Sequence, residues 1–390
     1  MWIWCWPPPS ADLGDRKQEE RMSIQTVMRF LGVMVALASG WPCWAAGSWK
    51  IQYFYDKDDS KFVINDFQFV SENRGYAAGF RESKKTPGPR PMMIVTEDGG
   101  KSWVETYPPS VPQTIFFISE TAGWMTADSG IWQTPDGGKS WRKQSEVNGV
   151  ARLWFLSAQR GFAIGAQKLM KETKDGGQTW TDVAAAKEVR GKPENTRYTA
   201  IAFDGRIGIV AGVSEPARRS PEQPAWVDPR EAAGRRLWPT LSIGVRSSDF
   251  GEHWIAETAP VFGTTTRMRI NGKVGVSVVR YGESFEVPTE VYALNLTGKV
   301  QSVFKQKNRI VTDAGWLGSE TIVVAVEPPG KLNQLPFPGK VKVLTSLDLT
   351  TWTEMDVSYK AFGGNAMLAI ASESHAWIAT DTGMILRFIP

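Results

Sequence analysis

A ten-residue phrase returns along this chain as TEDGGKSWVE (96–105), TPDGGKSWRK (134–143), TKDGGQTWTD (173–182) and SSDFGEHWIA (247–256), with a worn copy, SLDLTTWTEM, at 346–355. No other feature limits the fold as much, because self-similarity at a fixed period marks a structure assembled from copies of one supersecondary unit. Asp98, Asp136 and Asp175 stand 38 and 39 residues apart, the length of one small four-stranded sheet. The following intervals, 74 and 99 residues, hold one sheet plus an insertion, then two sheets of which one lacks the phrase.

Each fixed letter of the phrase has a mechanical use. An Asp carboxylate accepts hydrogen bonds from the backbone of its own turn, and glycine supplies the positive φ a tight turn needs. Trp103, Trp141, Trp180 and Trp254 then fold back on the return strand as apolar plugs. Full burial of such a side chain removes ~150–250 Å² from water, roughly 4–6 kcal/mol as an upper bound. The worn copy keeps Asp348 and Trp352 but has no glycine and one residue fewer between them, which predicts a distorted turn. GGKS also looks like the end of a phosphate-binding P-loop. That loop needs a glycine five residues before its Gly-Lys pair, where this chain has Val95 and Gln133, so it is excluded.

The pattern S/T-x-D-x-G-x-x-W resembles the Asp-box, or BNR repeat, of β-propellers such as sialidases, sortilin-type receptors and the photosystem II stability/assembly factor-like family. The last resemblance is the closest and covers most of residues 47–390. It implies that each box sits on the turn between the third and fourth strands of a blade, away from the usual ligand face, so that its residues are structural rather than catalytic.

Seven units open with an apolar strand, a glycine-bearing or polar turn and a second strand. They are FQFVSENRGYAAGF (67–80), IFFISETAGWMTAD (115–128), LWFLSAQRGFAIGA (153–166), IAFDGRIGIVAGV (201–213), MRINGKVGVSVV (268–279), GWLGSETIVVAV (315–326) and LAIASESHAWIAT (368–380). The chain is therefore expected to be all-β: a seven-bladed β-propeller of four-stranded antiparallel blades. Its last unit ends at MILRFIP one strand short, and SWKIQYFYD (48–56) is expected to fill that place, with Trp49 standing in for a box tryptophan. Pairing the two ends of the chain also removes sheet edges.

Residues 30–47, FLGVMVALASGWPCWAAG, carry no charge and follow Arg21 and Arg29, the order of a secretory leader. This divides the chain into an unstructured extension (1–21), a signal peptide or membrane anchor (22–46) and one propeller (47–390), exported to the periplasm or another extracytoplasmic space. Cleavage near Ala45 and Ala46 would remove Cys5 and Cys43, the only cysteines, and with them disulfides, thiolate metal sites and a Cys nucleophile. Lys and Arg number 45 against 41 Asp and Glu, dispersed without basic runs, so nucleic acid is not an expected partner.

Four strand-two-to-three connections are expanded: 81–91, 214–240, 280–290 and 327–340. Antiparallel order places them on the face opposite the boxes, where long loops on a rigid scaffold commonly bind. The largest carries Arg218, Arg219, Trp226, Arg230, Arg235, Arg236 and Trp238, residue types that anchor protein interfaces, and Tyr281 lies in the third. The leading expectation is a monomeric, non-catalytic scaffold or assembly factor that binds a protein, such as a membrane-complex subunit, and uses no cofactor or metal. The alternative is a sialidase-type glycoside hydrolase acting on glycans through Tyr281 with Glu283 or Glu286, although the Arg-Ile-Pro signature that family carries near its start is absent. His253 and His375 lack the spaced partners of a zinc site or a Ser-His-Asp arrangement, and Asp56, Asp58 and Asp59 lack the glycine and distal acid of a calcium loop.

Overall fold

The structure, a computed structural model, describes residues 47–390 apart from 58, 86, 216–240, 260–262, 282–286, 296–298 and 329–337. The expected extension, leader and both cysteines lie outside the described residues, as do Glu283, Glu286 and the seven loop residues from Arg218 to Trp238.

The described residues form seven sheets, and blades 1 to 6 lay their main strands side by side in chain order. Blade 2 shows the plan in its shortest form: Thr114–Phe117, Gly123–Ala127, Gly130–Thr134 and Arg142–Ser145. Its second strand is buried throughout, because neighbouring blades cover both faces, so it reads as a continuous apolar run rather than an alternation. The fourth strand lies at the rim, and there Arg142 and Lys143 are exposed. Ser48–Phe54 pairs antiparallel with Met384–Ile389 and completes blade 7, so the ends of the chain close the ring. Asp356–Val357, arriving from blade 6, adds a short parallel pairing outside it.

A relay of aromatic rings joins blades 1 to 4. The first strand of each ends or nearly ends in a phenylalanine, Phe69, Phe117, Phe155 or Phe203, set opposite a glycine that opens or nearly opens the second strand: Gly75, Gly123, Gly161 or Gly208. A Cβ on any of these glycines would collide with the ring of its partner. The flat face thus exposed lets three of the rings stack on an aromatic residue of the preceding blade: Phe69 on Trp377 at 3.5 Å, Phe117 on Tyr76 at 3.6 Å, and Phe155 on Trp124 at 3.6 Å between centroids. Phe203 meets Phe162 at 5.4 Å. The tryptophan of each blade's own box stands edge-on to the same phenylalanine at 5.7–6.2 Å, and such edge-to-face pairs are worth about 0.5–1.5 kcal/mol beyond the area they bury.

The plugs are therefore distributed differently from the sequence-based expectation. Trp103, Trp141, Trp180 and Trp254 are only half-buried, whereas Trp124, Trp377, Tyr76 and Phe162, on second strands, are fully buried. A box tryptophan sits at the blade's outer edge with one side towards solvent, so it recovers only part of the full-burial figure. Trp49 takes the corresponding place in blade 7 but is fully enclosed. Its indole N–H points at Met355 Sδ at 3.4 Å, and its ring tilts on Phe388.

Candidate binding surface

The boxes show what the repeated phrase builds. In the first, Thr96 Oγ1 donates to Asp98 at 2.8 Å and accepts from the Gly100 N–H at 2.8 Å. Asp98 also accepts from the Ser102 N–H at 2.9 Å and the Ser102 hydroxyl at 2.6 Å, and the Trp103 indole donates to the Gly100 carbonyl at 3.1 Å. Thr134, Asp136, Gly138 and Ser140 repeat this set, as do Thr173, Asp175, Gly177 and Thr179. In the fourth, His253 replaces the hydroxyl donor, with Nδ1 2.6 Å from Asp249. The worn copy keeps an Asp348 hub for the N–H groups of Thr350 and Thr351, and Leu349 takes a left-handed φ of 62° in the shortened turn.

Hydrogen bonds from Ser102 hold the Asp98 pKa at about 2, and those from Thr179 do the same for Asp175. Asp136 is pulled down as well: burial opposes the shift, but the bonds from Ser140 outweigh it. Carboxylates fixed in the ionised state and saturated by their own turns are poor proton donors. Each box is also tied to the strand-one-to-two turn of its blade: Gly99 N–H donates to Asn73, Gly137 to Thr121, Gly176 to Gln159 and Phe250 to Arg206, at 2.7–2.9 Å. Donors from the preceding blade reach across as well, Trp377 to the Gly99 carbonyl at 3.1 Å and Trp124 to that of Gly176 at 2.9 Å. These are the contacts of a structural lock.

The expanded connections spring from the other ends of the blades. Strand pairing in blade 4 runs from Gly208–Ser247 at the box end to Ser214–Leu241, where the largest insertion departs. Arg280–Thr289 and Glu327–Lys340 are the corresponding pairs of blades 5 and 6, and Arg81–Arg90 that of blade 1. On blade 1 this end carries an exposed cluster that sequence reading missed. Lys57 Nζ lies 2.7 Å from Glu105, which also accepts from the Tyr107 hydroxyl at 2.7 Å, and two-thirds of Tyr107 is exposed.

Tyr281 is placed differently from the loop residues around it. It is buried, and its hydroxyl donates to Glu290 at 2.7 Å and lies 2.9 Å from the Tyr292 hydroxyl. Burial first, then these two neighbours, push its pKa far above the ordinary tyrosine value. A tyrosine nucleophile needs the opposite shift. His375 bridges Ser372 at 3.0 Å and Glu72 at 3.1 Å. Among the described residues no group of three His, Cys, Asp or Glu side chains converges as a metal site would require. On the ring axis the first strands line a channel.

A family model described as photosynthesis system II assembly factor YCF48 matches residues 148–217, which are blade 3 and the first two strands of blade 4. Over almost the whole propeller, a solved structure titled "YCF48 bound to D1 peptide" superposes with a TM-score of 0.57 at 15% identity, covering 89% of this chain and 96% of that one. This chain has the fold of an Asp-box propeller of the YCF48 type. YCF48 from Cyanidioschyzon merolae gives 0.57 at 14% identity, covering 89% of this chain and 99% of that one. The extracellular domain of a one-component system from B. thetaiotaomicron gives 0.53 at 11% identity, covering 88% of this chain and 40% of that one. A search of curated protein sequences returns no significant match.

Proposed function

We propose that this chain is an exported, non-catalytic scaffold that holds a segment of a membrane-protein subunit on the insertion-bearing face of its propeller, in the manner of a photosystem II assembly factor. The observation that carries the proposal is geometric. The boxes are consumed in locking blades together, while four expanded connections leave the opposite ends of blades 1, 4, 5 and 6. The solved YCF48 complex with a D1 peptide supports a protein as the partner class. Tyr281 argues against the glycosidase alternative, since its hydroxyl is buried and held protonated.

Capture of detergent-solubilised membrane proteins by the tagged chain tests the proposal. Replacing Arg235, Arg236 and Trp238 together is expected to lower capture about tenfold or more, the loss of roughly 1.4 kcal/mol or more at an interface anchor, without moving the melting temperature. Undiminished capture by the triple variant would overturn the placement of the partner on this face. Release of free sugar from sialylated substrates by the purified chain would instead establish the enzyme.

A further inference from the structure

The channel on the ring axis takes no part in the function proposed above. It encloses about 440 Å³, within the range of small-molecule sites. First strands supply its walls: Phe116, Trp154 and Met268 among the apolar residues, and a charged set of Asp66, Arg152, Arg267, Arg269 and Asp313. These come from blades 1, 3, 5 and 6, so only ring closure assembles them.

Both carboxylates are already engaged. Asp66 accepts from the Thr114 hydroxyl at 2.7 Å and from the N–H groups of Ile115 and Phe67 at 3.0 and 3.1 Å. Asp313 accepts from Arg269 Nη2 at 3.0 Å and from the N–H groups of Ala314 and Leu368 at 2.9 Å. The other two arginines end short of them. Arg152 stops 3.9 Å from Asp66, and Arg267 Nε stops 3.8 Å from Asp313, with Arg267 Nη1 donating to the Thr266 carbonyl at 3.2 Å. Separations near 3.9 Å are not hydrogen bonds. Their side chains keep 28% and 21% exposure.

Arg152 and Arg267, from different blades, line the same channel, and burial first, then repulsion from Arg152, lower the Arg267 pKa. Arginine does not escape such a position by losing its proton. A planar fork of donors that its nearest carboxylate meets only at ion-pair distance, in a partly apolar enclosure, is suited to a carboxylate or phosphate oxyanion.

We propose that the channel is a binding site for a small organic anion, its carboxylate or phosphate held between Arg152 and Arg267 and its apolar body against Phe116 and Trp154. The two rings stand 5.2 Å apart between centroids and form one continuous wall. The site does not depend on the protein-binding face, and either can fail without the other.

Isothermal titration of the full chain at low ionic strength with benzoate, and separately with benzyl alcohol, tests the proposal. Benzoate should bind at least tenfold more tightly than the neutral alcohol. Arg152→Gln and Arg267→Gln should each weaken benzoate at least tenfold. Inorganic phosphate competing with benzoate would support a site that accepts the oxyanion alone, and displacement by a Glu-rich peptide would support an acidic side chain as its source. Should either Gln variant fail to fold, Arg152→Lys and Arg267→Lys keep the charge and lose the fork, and should still weaken binding severalfold. Equal binding of benzoate and benzyl alcohol, no benzoate binding by the unaltered chain, or full affinity in folded Gln variants would overturn the proposal.

Discussion

Blades 1 to 4 and blades 5 to 7 reach the same architecture by different means. In the first group a phenylalanine faces a glycine, stacks on the preceding blade and is clamped edge-on by a box tryptophan. In the second, the corresponding pairs are Ile270 with Gly275, Trp316 with Thr321 and Ile370 with Ala376. Cohesion there comes from β-branched and small residues such as Val276, Val278, Val291, Val323 and Ala325. Where the clamp is missing, a groove of about 300 Å³ lined by Val276, Leu294, Val303, Trp316 and Leu349 lies between blades 5 and 6. The difference teaches that the box is one solution to joining blades, and that a ring closed by its own termini tolerates its loss in part of the circle. The family match at residues 148–217 lies wholly within the clamped half.

That contrast can be broken most directly at the wedge. Phe155→Ala, between Trp124 and Trp180, is expected to cost about 3–5 kcal/mol in denaturant unfolding, whereas Ile270→Ala, at a half-buried place, should cost about 1–2 kcal/mol. Equal losses would show that the relay adds nothing beyond apolar area. The glycines sharpen the point. Gly161→Ala drives a Cβ into the Phe155 ring and should cost about 1–3 kcal/mol, while Gly275→Ala meets its nearest neighbour at 3.2 Å and should cost less than about 1 kcal/mol.

The boxes predict a pH dependence, carried in the clamped half by Asp98 and Asp175 and in blade 6 by Asp348, whose pKa the Thr351 and Thr350 N–H groups also pull down. Asp98 and Asp175 titrate near 2 in the folded protein against an ordinary value of 3.8. Their stabilisation is thus complete above the unfolded value and is lost as pH falls from 3.8 through 2. Melting temperature measured across that window should fall less steeply for the Asp98→Asn, Asp175→Asn double variant than for the unaltered chain. Parallel curves would detach the boxes from stability. The smallest effect is expected at Phe250, which takes a φ of 62° where the first three boxes have glycine. Phe250→Gly should raise stability by about 0.5–1 kcal/mol through release of backbone strain, less whatever its contact with Arg206 contributes.

Much of the fold was legible because its signals are local and repeated. The hydrogen bonds that shape the turn of a box close within eight residues, from Thr96 to Trp103, so spacing alone reveals the turn and seven opening strands reveal the count. The vacancy at MILRFIP and the unassigned strand at Ser48 likewise named each other. The relay left a trace that was not read: FVSENRGY, FISETAGW and FLSAQRGF each place Phe six residues before a Gly-aromatic pair. That spacing sets ring against glycine across the hairpin, but the ring's second partner belongs to another blade and has no fixed spacing.

The sequence by itself determined the unit and its number, because these rest on contacts between residues near in the chain or on a repeated copy of them, and it determined the closure because the last copy lacks one strand that Ser48–Phe54 supplies. Tertiary structure decided what the ring encloses and what it buries. Arg152 and Arg267 look like ordinary strand residues until the circle closes, and Tyr281 looks like a loop residue until Glu290 and Tyr292 surround it. Such neighbours are set by the curvature of the whole wheel, a property that no single blade carries.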